Sequence, residues 1–238
     1  MPRKARIIIP GLPHHITQRG NNRQDVFFAD IDRQIYLKYL AEECEKYQVT
    51  THGYCLMTNH IHLVSTPLNE DGLACAIGRT HLRYTLYVNQ HYHRSGHLWQ
   101  NRFFSCPLDE EHYWTALRYM ECNPQRAGMV NVAWEYAWSS AAAHVNGEDS
   151  SGLLDLAAWQ AQWRPFPWRE QLALPEDDFD LCQMRRHTML GRPLGSPSFI
   201  EGLERLLGLR LHPFPVGRPR KSPSEGDEGS EVLDSDYK

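Results

Sequence analysis

The sequence predicts an α+β protein: a ferredoxin-like, split β-α-β antiparallel sheet with helices on one face, followed by a helical C-terminal extension. Three observations lead there. Apolar residues alternate along four short segments, they recur at helical spacing along three longer ones, and the two kinds follow one another in the order β-α-β-β-α-β-α. Residues 14–20, HHITQRG, alternate and stop at a glycine, which makes a strand. Residues 30–47, DIDRQIYLKYLAEECEKY, hold Ile31, Ile35, Leu37, Tyr39 and Leu40 near helical spacing behind an aspartate cap. Residues 48–56 and 60–66 read as two strands closed by a short turn at Thr58 and Asn59, an antiparallel hairpin. A second helix spans 72–92, a strand 102–108, and a third helix 110–123, which Pro124 is expected to stop. With the helices gathered on one face, the other face of the sheet is left for a site.

After residue 146 the texture changes to short helical segments interleaved with Trp, Pro and charge, and from Pro213 onward it is too rich in Pro, Gly and charge to fold alone. The expected organisation is a main domain over 1–146, a helical extension over 147–212 and a tail over 213–238, basic and then acidic. The tail distorts the charge balance. Of the net −4, residues 225–238 contribute −5 through six acids and one lysine, leaving +1 for residues 1–224. Local basic clusters at Arg3, Lys4 and Arg6, at Arg19 and Arg23, and at Arg218, Arg220 and Lys221 fit a phosphate-backbone partner. No run of about 18 apolar residues occurs, so no membrane span is expected and the cytoplasm is the default. Six scattered cysteines without a C-x-x-C pair argue against a zinc knuckle or a disulfide framework.

The chemistry centres on MTNHIHLV, residues 57–64. In a strand His60 and His62 share one face and Ile61 and Leu63 the other. Such a pair is a satisfied polar patch or half of a metal site. On the third helix, Tyr119 and Asn123 stand at i and i+4, beside the apolar stripe of Tyr113, Ala116, Leu117 and Met120, so a phenol and an amide project together.

With those residues assembled, the chain resembles the REP-associated tyrosine transposases, a branch of the single-tyrosine HUH transposases and nucleases. The resemblance rests on PGLPHHITQRGNNRQDVF, YCLMTNHIHLV, SGHLWQNRF, RYMECNPQRAGMV and YAWSSA, and later on LGRPLGSPSFIEGLERLLG and GRPRK, covering about residues 3–221. It implies an HUH fold in which His60, His62 and Asn123 bind Mg²⁺ or Mn²⁺ and Tyr119 is the nucleophile. It implies a substrate of single-stranded DNA hairpins, the repetitive extragenic palindromes, cut through a 5′-phosphotyrosine and rejoined by a monomer. Arg19, Arg23, Arg102 and Arg126 are candidate phosphate contacts. Arg218, Arg220 and Lys221 lie in a stretch, VGRPRK, that resembles a minor-groove AT-hook. This chain has Asn101 where relatives often have glycine, and Gln125 where they have an aliphatic residue.

Two other classes stay open on the sequence. A zinc hydrolase also places H-x-H on a strand, with His52, His81 or His97 available as a distant third ligand. A catalytically idle DNA-binding regulator would keep the basic groups and tolerate the loss of Tyr119.

Overall fold

A computed structural model describes residues 6–162 and 167–212. The expected order holds: β1 (His14–Arg19), α1 (Asp30–Lys46), β2 (Val49–Leu56), β3 (His60–Pro67), α2 (Gly72–His91), β4 (Phe104–Pro107) and α3 (Glu110–Glu121). After these come α4 (Asn123–Arg126), α5 (Ala141–Asn146), α6 (Leu156–Gln162), α7 (Trp168–Ala173), α8 (Asp178–Leu190) and α9 (Pro197–Leu207). The strands form one antiparallel sheet in the order β2-β3-β1-β4, so each β-α-β crossover spans one intervening strand.

Strand alternation sorts the sheet into two packed faces. Ile16, Tyr54, Leu56, Ile61 and Leu63 meet Tyr36, Leu40, Leu73, Ile77 and Tyr84 of α1 and α2 in one apolar layer. Asp32 ties that layer together. Its carboxylate accepts from the amides of Phe28 and Ala29 at the start of α1 and from the hydroxyls of Tyr87 and Tyr92, so the N-cap position falls to Ala29, and Asp32, not the expected Asp30, satisfies the free amides by reaching back.

The opposite face is not left open, and this corrects the expectation. The stripe of Tyr113, Ala116, Leu117 and Met120 on α3 packs against Cys55, Val64 and Cys106 of the sheet, and Trp168, Leu172 and Met184 of the extension join the same cluster. The cause is the hydrophobic effect: α3 and the extension helices carry apolar stripes that only this face can cover. The site therefore lies at the rim of a second packed layer. Trp159 and Leu194 share that core with the strands as well, and Ile9, Leu203 and Leu211 pack α9 onto the N-terminal segment.

α3 also ends earlier than expected. It stops at Glu121, and after Cys122 the short α4 begins, with Pro124 in its first turn. There the missing N–H of proline costs nothing, so Pro124 starts a helix instead of ending one. A buried carboxylate anchors the end of α3. Glu121 is 0% exposed and accepts from Ser140 Oγ at 2.5 Å, His144 Nδ1 at 2.6 Å and Trp168 Nε1 at 2.7 Å, binding α3 to α5 and α7.

Candidate active site

His60 and His62 leave β3 on the α3 face. Nδ1 of His60 lies 2.6 Å from the Asn59 carboxamide oxygen, while Asn59 Nδ2 donates to the Arg23 carbonyl at 3.1 Å. Because that oxygen only accepts, His60 carries its hydrogen on Nδ1 and presents the lone pair of Nε2 to Asn123 Nδ2, 3.4 Å away. Nδ1 of His62 lies 3.0 Å from Nε2 of His15, whose Nδ1 lies 2.7 Å from Thr188 Oγ1 on α8.

Tyr119 completes the cluster from α3. Its ring meets those of His15 and His62 edge-on, with centroids 5.8 Å away in each case, and is 7% exposed. On the ring's face sits the Arg126 guanidinium, 4.6 Å from the centroid. Arg126 also donates to the Tyr119 carbonyl at 2.9 Å and to the Asn123 carboxamide oxygen at 3.2 Å, and it pairs with Glu176 at 2.5 Å. Beside Tyr119 a cavity of about 200 Å³ opens between α3 and α8, with Arg118, Glu176, Asp180 and Met184 in its wall.

Burial drives the imidazoles toward the neutral form. It takes His60 down to about 4, with the nearby Arg19 charge adding to the effect, and His15 down to about 3. His62 falls well below its ordinary value through burial and then the neighbouring His60, His15, Arg126 and Arg19. Neutral imidazole is the form that binds a metal ion.

Of the expected site residues, the structure gathers His60, His62, Tyr119, Asn123 and Arg126 into one cluster. Arg126 faces inward, onto Tyr119, Asn123 and Glu176. Arg19, Arg23 and Arg102 are exposed; Arg19 lies opposite His60 in the β1–β3 register, and Arg23 supports Asn59 through its carbonyl. Arg218, Arg220 and Lys221 lie outside the described residues.

Two backbone features shape the loops around the cluster. A Cβ on Gly20 would lie 2.2 Å from the Gln24 carbonyl oxygen, so the loop after β1 closes only on glycine. Asn101 holds a φ of 55°. That left-handed conformation suits glycine, and asparagine is among the few other residues that tolerate it, so the substitution keeps the loop.

The ligands that a zinc hydrolase needs do not converge here. His52 bonds Thr66 at 2.8 Å and abuts Tyr113, whereas His81 belongs to α2 on the other face, stacked on Trp99 with centroids 4.4 Å apart. Among the described residues no group of three or more His, Cys, Asp or Glu side chains is arranged to hold a metal ion.

Sequence reasoning missed His15, Thr188 and Glu176. His15 had a signal, since alternation puts it on one face of β1, but only the strand register brings it to His62. Thr188 and Glu176 carry no local signal and arrive from the extension.

Residues 9–123 match the family model described as Transposase IS200 like. That stretch is similar to the IS200-like transposases. A Haemophilus influenzae protein provisionally named a REP-associated tyrosine transposase is 28% identical over 130 residues, covering 48% of this chain and 74% of that one. A solved structure of a REP-associated tyrosine transposase bound to a REP hairpin matches with a TM-score of 0.54, over 70% of this chain and 93% of its own. At 16% identity it shows a shared fold. The IS200-like domain contains His15, His60, His62, Tyr119 and Asn123, whereas Glu176 and Thr188 reach its site from beyond the matched residues. Among the described residues, no helix is long and apolar enough to cross a membrane.

Proposed function

We propose that this protein cuts and rejoins single-stranded DNA at palindromic hairpins of the REP type, with Tyr119 as the nucleophile. The observation that carries the reading is the convergence of Tyr119, His60, His62 and Asn123, from three elements of an IS200-like domain, on one spot. The donor set fits a divalent ion: the Nε2 lone pair of His60 and the Asn123 amide already face each other, and His62 stands beside them. Turning the amide over, so that its oxygen faces His60 in place of its nitrogen, would release the Arg126 hydrogen bond and complete the set. A bound Mg²⁺ or Mn²⁺ would polarise the scissile phosphate. Mn²⁺ accepts nitrogen ligands more readily than Mg²⁺ does.

The chain's own groups do the rest. The Tyr119 oxygen gives up its proton and attacks phosphorus, the bond to the 3′ oxygen breaks, and that oxygen leaves as a hydroxyl. A 5′-phosphotyrosine results. A 3′-hydroxyl attacking the same phosphorus reverses the step, restoring the tyrosine without a nucleotide cofactor. The exposed Arg19, Arg23 and Arg102 contact phosphates in this reading, and inward-facing Arg126 holds the tyrosine and the amide in place. Residues 1–146 carry the chemistry, 147–212 brace it, and the tail adds Arg218, Arg220 and Lys221 to the DNA grip. Tyr119 already lies against His62 of its own chain, an arrangement that a monomer can use without exchanging helices.

The test is a hairpin oligonucleotide labelled at its 3′ end, incubated with protein and Mn²⁺ and resolved on a denaturing gel. Wild type should carry the label as a covalent adduct, while Tyr119→Phe should bind the hairpin equally well and form none. Adduct formation by the phenylalanine variant would assign the nucleophile elsewhere. Tight binding by wild type with no adduct would leave an idle regulator.

A further inference from the structure

His15 and Thr188 have no part in the proposed chemistry, yet both are buried beside it: His15 is 1% exposed, Thr188 2% and His62 6%. Strand register explains how His15 arrives. Thr17 is the direct partner of His62, and His15, two residues earlier on the same face, is its diagonal neighbour. Thr188 comes from α8, 173 residues further along the chain.

With neutral rings, the two bonds from Thr188 to His15 to His62 admit only two hydrogen arrangements. In one, His15 Nδ1–H donates to the Thr188 oxygen, His62 Nδ1–H donates to His15 Nε2, and Nε2 of His62 keeps a lone pair. In the other, the Thr188 hydroxyl donates to His15, His15 donates to His62, and Nε2 of His62 carries a hydrogen. We infer that the first arrangement holds, so that Thr188 and His15 are positioning residues that present His62 Nε2 as a lone pair.

Two observations favour it. Nε2 of His62 has no hydrogen-bond partner among the described residues yet is not sealed from solvent, so it stays open to the ion of the function proposed above, which only a lone pair can bind. His60 has the same polarity, forced by the Asn59 oxygen, so both rings then turn lone pairs outward. The choice of arrangement rests on the function proposed above; the hydrogen-bonded chain from Thr188 through His15 to His62 does not. A hydroxyl on the extension thereby sets the chemical state of a side chain in the IS200-like domain.

The experiment uses full-length, metal-free protein labelled with ¹⁵N at histidine, whose long-range spectra distinguish the two tautomers. His62 should be protonated at Nδ1 in wild type and in Thr188→Ser, and should become a mixture in Thr188→Val. Mn²⁺ titration followed by electron paramagnetic resonance should then show affinity about ten- to a hundredfold weaker for the valine variant and restored by serine. Wild-type His62 protonated at Nε2 would overturn the inference whether or not the variants fold. So would a valine variant that melts earlier but keeps the wild-type tautomer and affinity, because that is a packing role alone. If wild type takes up neither Mn²⁺ nor Mg²⁺, the metal reading falls and the spectra alone decide: a wild-type Nδ1–H lost in the valine variant upholds the positioning role, and no change refutes it.

Discussion

Ile61 and Leu63 reach from β3 toward α1 and α2 into a layer filled by Leu40, Leu73 and Ile77, while His60 and His62, alternating with them, reach the other way toward α3 and α8. Ile61, Leu63 and His62 are all buried. One face is stabilised by transfer of apolar surface, which has no preferred direction. The other adds to its own apolar packing a set of polar groups whose burial is tolerable only with partners in place. Histidine itself does not separate the faces. His81 sits in the apolar layer, buried and stacked on Trp99, with Tyr36 Oη 3.1 Å from its Nε2, and has nothing to converge with. Convergence of several oriented groups, more than burial of any one, marks the site.

The sharpest way to break this comparison is His60→Ala. It should take hairpin cleavage below detection, while the urea midpoint of unfolding moves little, because half-buried His60 contributes no apolar core. Folded protein that still cleaves would deny His60 its role. On the other face, Leu63→Ala should lower stability by about 2–5 kcal/mol, as large-to-small core changes do, yet leave cleavage intact at a temperature where the variant stays folded. Loss of cleavage in folded Leu63→Ala would mean that the faces are coupled.

Glu121→Gln tests the polar anchoring of α3. The amide would present hydrogens to donors that now meet a carboxylate, so the melting temperature should fall by the equivalent of about 1–3 kcal/mol. An unchanged melting curve would show that apolar packing alone holds the helix.

Acid is the gentlest probe, and it acts on both faces. His60 is lowered from 6.5 to about 4, and His15 and His81 to about 3, so below 6.5 the unfolded chain binds more protons than the folded one. The stability they contribute is full above pH 6.5 and is lost progressively as pH falls toward about 4 and then 3. Denaturant titrations at stepped pH should show this decline. A flat profile between pH 6.5 and 4 would mean that the imidazoles are not held neutral.

Most of the sheet was legible because its signals are local. Alternation in HHITQR and HIHLV assigns each side chain to a face before any partner is known, and helical spacing does the same for the stripe of α3, whereas in α1 Ile31 is exposed and Asp32, Arg33 and Glu43 are buried. The face shared by His60 and His62 and the pairing of Tyr119 with Asn123 follow from a few consecutive residues. The tertiary structure decided what depends on distant segments meeting. It set the β1–β3 register that brings His15 to His62 and the reach of Thr188 from α8. It closed Glu176 on Arg126, gave Glu121 its three donors, and buried the second face under α3 and the extension. Backbone geometry imposes the periods of two and 3.6 residue by residue, so a short stretch reveals them. Which oriented polar groups meet is settled only when their separate apolar faces find cover together.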